Sequence, residues 1–295
     1  MVGLSEAYQL LNRINPDLVI GTGGYVCGPI LFWAALKRVP TAIQEQNAMP
    51  GVTNKILSRF VDEVFLGYKE GARYFASHAK KIFTGNPVRK EILVAERSAG
   101  IAKFQLDPSR KTLLVFGGSR GARSINQSMI AVEKALAGDR HIQILHATGQ
   151  QGYQSHIEAL GENLLKADNL HIVPYLHDMP LALAAADVAV SRAGAIGLAE
   201  LMVKGIPSIL IPYPYATANH QKFNARALAA LGAAKVVLDK DLSGEILLRE
   251  VESLLKDEEV LAMMHRSACK AGMPQAAETI AQEALALAER DRRNA

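Results

Sequence analysis

The chain has 295 residues, 49% apolar and 21% charged, with only 12 prolines. This is enough to bury a large core and fits two domains better than one, so it reads as a soluble globular protein. A formal charge of +4 and a pI near 9.0 are only mildly basic. They lean toward anionic substrates or a membrane surface and give no reason to expect a nucleic-acid partner.

The opening "MVGLSEAYQLLNRINPD" lacks the basic start and continuous apolar run of a secretory signal. The longest apolar stretches, 29–36 and 181–190, are too short or too interrupted to span a bilayer. Cys27 and Cys269 lie far apart and match no metal spacing, which predicts a reducing compartment and two inert packing residues.

In chain order, short β-branched runs alternate with helical segments. "DLVIG" (17–21), "TAIQE" (41–45), "EVFLGY" (63–68) and "KIFTGN" (81–86) are the first set of predicted strands. A polar stretch with no long apolar face follows and predicts an interdomain connection over 93–110. The second set is "TLLVFGG" (112–118), "IQILHATG" (142–149), "HIVPYL" (171–176), "VAVSRAG" (188–194), "PSILIPYP" (207–214) and "KVVLD" (235–239). Alanine- and leucine-rich helices separate these runs, so the expected architecture is α/β with two doubly wound parallel sheets. The expected domains are 1–92 and 111–272, with a final amphipathic helix over 273–295 that presents Ala277, Ile280, Ala284 and Leu287.

Three strand-to-helix turns are rich in glycine: "GTGGYVCGP" (21–29), "FGGSRGARSIN" (116–126) and "SRAGAIGLAE" (191–200). Glycines let backbone N–H groups approach a ligand, and the start of the next helix adds unpaired donors and partial positive charge, so each turn suits a phosphate. None has the form GxxxxGK[ST], and none is a GxGxxG with a following acidic residue, which disfavours a P-loop nucleotidase and a dinucleotide dehydrogenase. In the third turn Glu200 has two readings. It either accepts hydrogen bonds from vicinal ribose hydroxyls or acts as an ordinary acidic residue near a helix start. His146 ends a strand and reads better as a satisfied, partly buried histidine than as a ligand contact. "DKD" at 239–241 matches the DxD pattern of metal-dependent transferases, yet Asp241 reads better as helping to start a helix, so no metal is expected.

Together "DLVIGTGGYVCGP", "IQEQNAMPGVTNK", "FTGNPVR", "VFGGSRGA", "SRAGAIGLAE" and "NHQKFNA" resemble, in order and over nearly the whole chain, the motifs of the MurG glycosyltransferases of family 28. That resemblance implies a GT-B fold of two facing Rossmann-like domains, with a UDP-sugar mainly on the second and a lipid acceptor mainly against the first. It implies inverting, metal-independent transfer of N-acetylglucosamine from UDP-N-acetylglucosamine to undecaprenyl-diphosphoryl-N-acetylmuramoyl pentapeptide, with no cofactor. The location it implies is the bacterial cytoplasm, peripheral on the inner membrane surface.

Carried over by position, Asn47, Arg89, Ser119, Leu176, Ala195, Ile196, Gly197, Leu198, Ala199, Glu200 and Gln221 resemble substrate contacts. Asn47 and Arg89 reach from the N-terminal side, and the Leu176 backbone meets the uracil. Gly23, Gly24 and Tyr25 resemble the acceptor side, and the final helix is expected to return to the N-terminal domain.

The family's usual base is a histidine in a GTGGH turn, which this sequence does not contain. In the family a first strand, that turn and further helices precede the point where this chain begins. The expectation is therefore an incomplete first domain with an unpaired sheet edge. Gln44 and Gly197 also stand where the family often has histidine and threonine. An inactive UDP-sugar-binding fragment and a GT-B transferase with another acceptor remain the alternatives.

Overall fold

The structure, a computed structural model, describes residues 2–118 and 122–294. The chain divides into two compact units, residues 1–87 with 273–295, and residues 88–272.

The first unit runs α1 (Val2–Ile14), β1 (Val19–Gly21), α2 (Cys27–Leu36), β2 (Thr41–Glu45), α3 (Val52–Leu57), β3 (Glu63–Leu66) and β4 (Lys80–Phe83). Its four strands pair in parallel in the order β1-β2-β3-β4. Every residue of β2 and β3 is buried, as strands covered on both faces require, and this includes the polar Thr41, Gln44, Glu45 and Glu63. At one edge, β1 leaves Ile20 exposed.

The second unit begins with α4 (Lys90–Val94), α5 (Arg97–Phe104), β5 (Lys111–Phe116), α6 (Arg123–Leu136), β6 (Ile142–Ala147), α7 (Gln150–Leu160) and β7 (Leu170–Val173). It continues through α8 (Met179–Ala185), β8 (Val188–Ser191), α9 (Ala195–Val203), β9 (Ser208–Leu210), α10 (His220–Ala230), β10 (Ala234–Val236), α11 (Gly244–Leu255) and α12 (Glu258–Ala271). The six-stranded parallel sheet has the order β10-β9-β8-β5-β6-β7. Its core is built from alternate faces of β5, β6, β8 and β9. Onto these α6 lays Ile125, Met129, Val132 and Leu136, one side of a helix at the spacing the 3.6-residue period demands.

Residues 88–110 pack with the second unit, whereas the sequence divided them between the first domain and a connection. Ile92 of α4 and Leu106 are buried, and close polar contacts add to this apolar burial. A side chain at Gly100 would strike the Leu181 carbonyl of α8. Arg97 Nη1 donates to the Ala185 carbonyl at 2.8 Å and Nη2 to Asp187 at 2.9 Å, and Lys204 Nζ donates to the Ala95 carbonyl at 2.8 Å. A hydrophobic pattern carries no trace of such contacts.

The last helix, α13 (Ala276–Asn294), belongs to the first unit, where Ala284 and Leu287 pack on Ala42 and Phe65. Ile280 packs against the same cluster, so the expected face holds at Ile280, Ala284 and Leu287, and only its first position differs, Ala276 being buried and Ala277 exposed. The buried Glu63 carboxylate receives Arg290 of α13 and, at 3.3 Å, Lys80, which also reaches Glu283 at 2.9 Å. Among the described residues no helix is long and apolar enough to cross a membrane.

Candidate functional site

In the second sheet the chain runs outward through β6 and β7 on one side of β5, and through β8, β9 and β10 on the other. The strand order therefore switches direction between β5 and β8, and the turns leaving their carboxyl ends diverge to leave a crevice. An open groove of about 730 Å³ lies there, lined by Gly117, Gly118, Ser124, Arg192, Gly194, Gly197, Tyr213, Gln221 and Asp239.

One wall is the start of α9. Its N-cap, Gly194, is extended (φ −69°, ψ 136°) and brings no side chain to the first-turn N–H groups. The sequence puts only alanine, isoleucine and glycine in that turn, so donors and the positive end of the helix dipole face the groove without a capping competitor. Gln221 ties this turn to the next loop, since its Oε1 accepts from Ala193 N at 3.1 Å and from Tyr213 N at 2.9 Å. That orientation leaves its NH2 as the group Gln221 has to offer a ligand.

Glu200 lies in the sixth position of α9, past its first turn, with its side chain 12% exposed. Arg89, the N-cap of α4, pairs with it at 3.6 Å. Burial pushes the Glu200 carboxyl above the usual carboxylate range, and the Arg89 guanidinium opposes this.

Arg192, which the sequence reading did not single out, is the most constrained cation of the groove. Its Nη1 donates to Asp239 Oδ1 at 2.5 Å and its Nη2 to Ser124 Oγ at 2.9 Å, while Ser124 Oγ donates to the same Asp239 oxygen at 2.7 Å. The guanidinium also lies over the Tyr213 ring, 5.5 Å from its centroid. Arg192 stands in the quoted glycine turn, and its position directly after the end of β8 was the available signal.

Among the other expected site residues, Ala195, Leu198 and Ala199 are buried, so their side chains are core and only their backbones can serve a ligand, whereas Ile196 is exposed. Leu176 is buried in the loop between β7 and α8. Ser119 lies outside the described residues. In the first unit Gly23 (φ 102°) and Gly24 (φ 75°) take left-handed backbone that favours glycine, and Tyr25 beside them is 84% exposed. Asn47 sits in a loop organised by the buried Glu45 carboxylate. Glu45 accepts from Asn47 N at 2.9 Å, Asn47 Nδ2 at 3.2 Å, Gly51 N at 3.2 Å and Asn54 Nδ2 at 2.8 Å.

Two expectations are corrected. Asp241 caps nothing: residues 239–241 form a short 3₁₀ turn, and the cap of α11 is Ser243, whose Oγ accepts from Ile246 N at 3.2 Å. Cys269 is exposed rather than packed, while Cys27 is half-buried.

Two parallel Rossmann-like units, with an anion-receptive groove at the switch point of the second, define a nucleotide-binding α/β protein of the GT-B class. The glycosyltransferase family 28 C-terminal domain matches residues 112–280, and that family's N-terminal domain matches residues 1–66. A relative from Desulforamulus reducens, named UDP-N-acetylglucosamine--N-acetylmuramyl-(pentapeptide) pyrophosphoryl-undecaprenol N-acetylglucosamine transferase, is 50% identical over 93% of this chain and 74% of its own length. A protein of the same name from Acetivibrio thermocellus is 47% identical over 94% of this chain and 75% of its own. The crystal structure of Acinetobacter baumannii MurG superposes with a TM-score of 0.78 at 28% identity, covering 96% of this chain and 77% of that one. The chain belongs to glycosyltransferase family 28.

Proposed function

We propose that this chain transfers N-acetylglucosamine from UDP-N-acetylglucosamine to undecaprenyl-diphosphoryl-N-acetylmuramoyl pentapeptide, the step from lipid I to lipid II of peptidoglycan synthesis. The names of the relatives support the chemistry, and the groove between β5 and β8 supports the donor site. The observation that carries it is the uncapped start of α9, which receives a diphosphate, with Glu200 in the same helix to accept from the ribose hydroxyls.

In this reading Ala195, Ile196 and Gly197 bind through backbone N–H groups, Gln221 through its NH2, and Arg89 and Arg192 as permanent cations. Leu176 contacts the base through its backbone, and Ser119 completes the donor contacts. Gly23, Gly24 and Tyr25 serve the acceptor diphosphate. The muramoyl 4-hydroxyl gives its proton to a general base as its oxygen attacks the anomeric carbon, the bond to the diphosphate oxygen breaks, and UDP leaves with inversion. Helix N–H groups and guanidinium groups meet the charge that builds on the leaving diphosphate, so the chemistry asks for neither metal nor cofactor. No residue of this chain is assigned as the base. The site of action is the cytoplasmic face of the membrane that holds the acceptor.

Titration calorimetry with UDP, UDP-N-acetylglucosamine, UDP-glucose and NAD tests the donor site, and transfer to lipid I tests the acceptor. Heat with the uridine nucleotides and none with NAD is expected. Binding of NAD but not UDP overturns the reading.

A further inference from the structure

Behind the groove, α6, β6 and α7 of the second unit bring three titratable side chains together out of solvent. Glu133 and His146 have no exposed surface and His156 has 3%. Glu133 Oε1 lies 2.7 Å from His146 Nδ1, and Glu133 Oε2 lies 2.7 Å from His156 Nε2. On its other side His146 Nε2 is 3.3 Å from Asn126 Oδ1, and Asn126 Nδ2 donates to the Thr148 carbonyl at 2.7 Å.

What each atom is able to do fixes the protons. The Thr148 carbonyl only accepts, so the Asn126 NH2 must face it and Asn126 Oδ1 must face His146. His146 Nε2 therefore carries a hydrogen. In a neutral ring its Nδ1 is then a bare lone pair set 2.7 Å from a carboxylate oxygen, a repulsive contact unless a proton lies between them. The other carboxylate oxygen is satisfied by His156 Nε2–H.

The complete set is an imidazolium, a carboxylate and a neutral imidazole, with no net charge. Without the extra proton it holds an uncompensated buried negative charge. Burial pushes the His146 imidazole down, the Glu133 carboxylate from α6 opposes this, and the His156 ring from α7 adds to it. The proton follows from the geometry, in which a bare Nδ1 would face a carboxylate oxygen at 2.7 Å and the proton leaves the buried set without net charge. A divalent metal in its place leaves net positive charge and needs a hydrogen on His156 Nδ1, which is buried with no partner.

We propose that Glu133 and His146 hold a shared proton at neutral pH and, through Asn126, act as positioning residues for the first turn of α6 at the donor groove. That turn carries Arg123 and Ser124 into the groove, and Ser124 holds Arg192 from the groove side. Asn126 holds the same turn from behind, in a space that only glycine at 152 leaves open, since a Cβ there would lie 2.7 Å from Asn126 Nδ2. The effect on the donor rests on the UDP-sugar reading; the proton does not.

Nitrogen-15 spectra of the imidazole rings in the full chain test the proton directly. At pH 7.5–8 His146 is expected with hydrogens on both nitrogens. Glu133→Gln offers an NH2 to Nδ1 and a carbonyl to His156, completing the network without the extra proton, so its His146 is expected singly protonated. UDP affinity of the native protein is expected to fall on the order of fivefold as the pair deprotonates at alkaline pH, the worth of about one hydrogen bond, with no such step in Glu133→Gln. Amide exchange of the first turn of α6 should quicken over the same pH range in the native protein only.

A singly protonated His146 in the native protein at pH 7.5, or a stoichiometric bound metal, overturns the proton. Parallel pH profiles of α6 exchange in the two proteins overturn the positioning role. If UDP binds at no pH while His146 is doubly protonated and exchange follows the pair, the donor reading falls and this one stands.

Discussion

Glu200→Gln separates what the acidic residue does for the ligand from what it does for the fold. Its side chain is 12% exposed, its ion pair with Arg89 is long at 3.6 Å, and burial raises its pKa. The sign follows. A carboxyl whose folded pKa lies above its unfolded value stabilises the fold most while protonated, and that contribution is lost as pH rises through the folded pKa. At neutral pH the ionised Glu200 is therefore a burden on the fold that a neutral amide removes, so the variant should melt at the native temperature or above it.

Ligand affinity should move the other way. In the proposed donor site the carboxylate accepts from two ribose hydroxyls, whereas the amide would accept through one oxygen and lose the charge. Charge-assisted hydrogen bonds contribute about 1.5–3 kcal/mol, so the UDP dissociation constant should rise roughly ten- to 150-fold. Melting curves from pH 4 to 8 and calorimetry with UDP check both halves. Unchanged UDP affinity refutes the ribose role, and a clear drop in melting temperature at pH 7 refutes the burial argument.

Asp239→Asn should destabilise the protein by about 1 kcal/mol, since it removes the charge that fixes Arg192 at 2.5 Å, and should weaken UDP binding as the guanidinium loses its orientation. A urea midpoint and UDP affinity both equal to native would contradict this. Gly85→Ala should cost about 2 kcal/mol or more, because φ at 85 is +75° and the new Cβ would sit 2.5 Å from Met273 Cβ. The readout is denaturant unfolding of the first unit, and no shift in its midpoint would show that the chain relieves both strains.

All ten runs expected to be strands contain strands, because a strand buried on both faces is written mainly in contiguous β-branched and aliphatic residues, although β2 also buries Thr41, Gln44 and Glu45. The glycine turns at their ends were legible for the same local reason: backbone that must approach a ligand or adopt positive φ excludes most other residues.

What escaped the sequence was every relation set by the return of the chain. Arg192 meets Asp239 47 residues on and Ser124 68 residues back, and neither spacing has a period. Asp239 lies in the very "DKD" whose first member reads as half of a metal motif, yet its carboxylate is taken up by the guanidinium. The attachment of 88–110 was hidden because α5 docks through a glycine and an arginine, with no apolar stripe to reveal a buried face. His146 is hydrogen-bonded as expected but fully rather than partly buried, and its partners stand 13 and 20 residues earlier on α6, so only the packing of that helix on β6 brings them within reach. Apolar residues announce their partners as a class, any other apolar surface, whereas a buried polar atom needs one particular complement. The polar interior of the donor domain is therefore where the fold adds information that no periodicity contains.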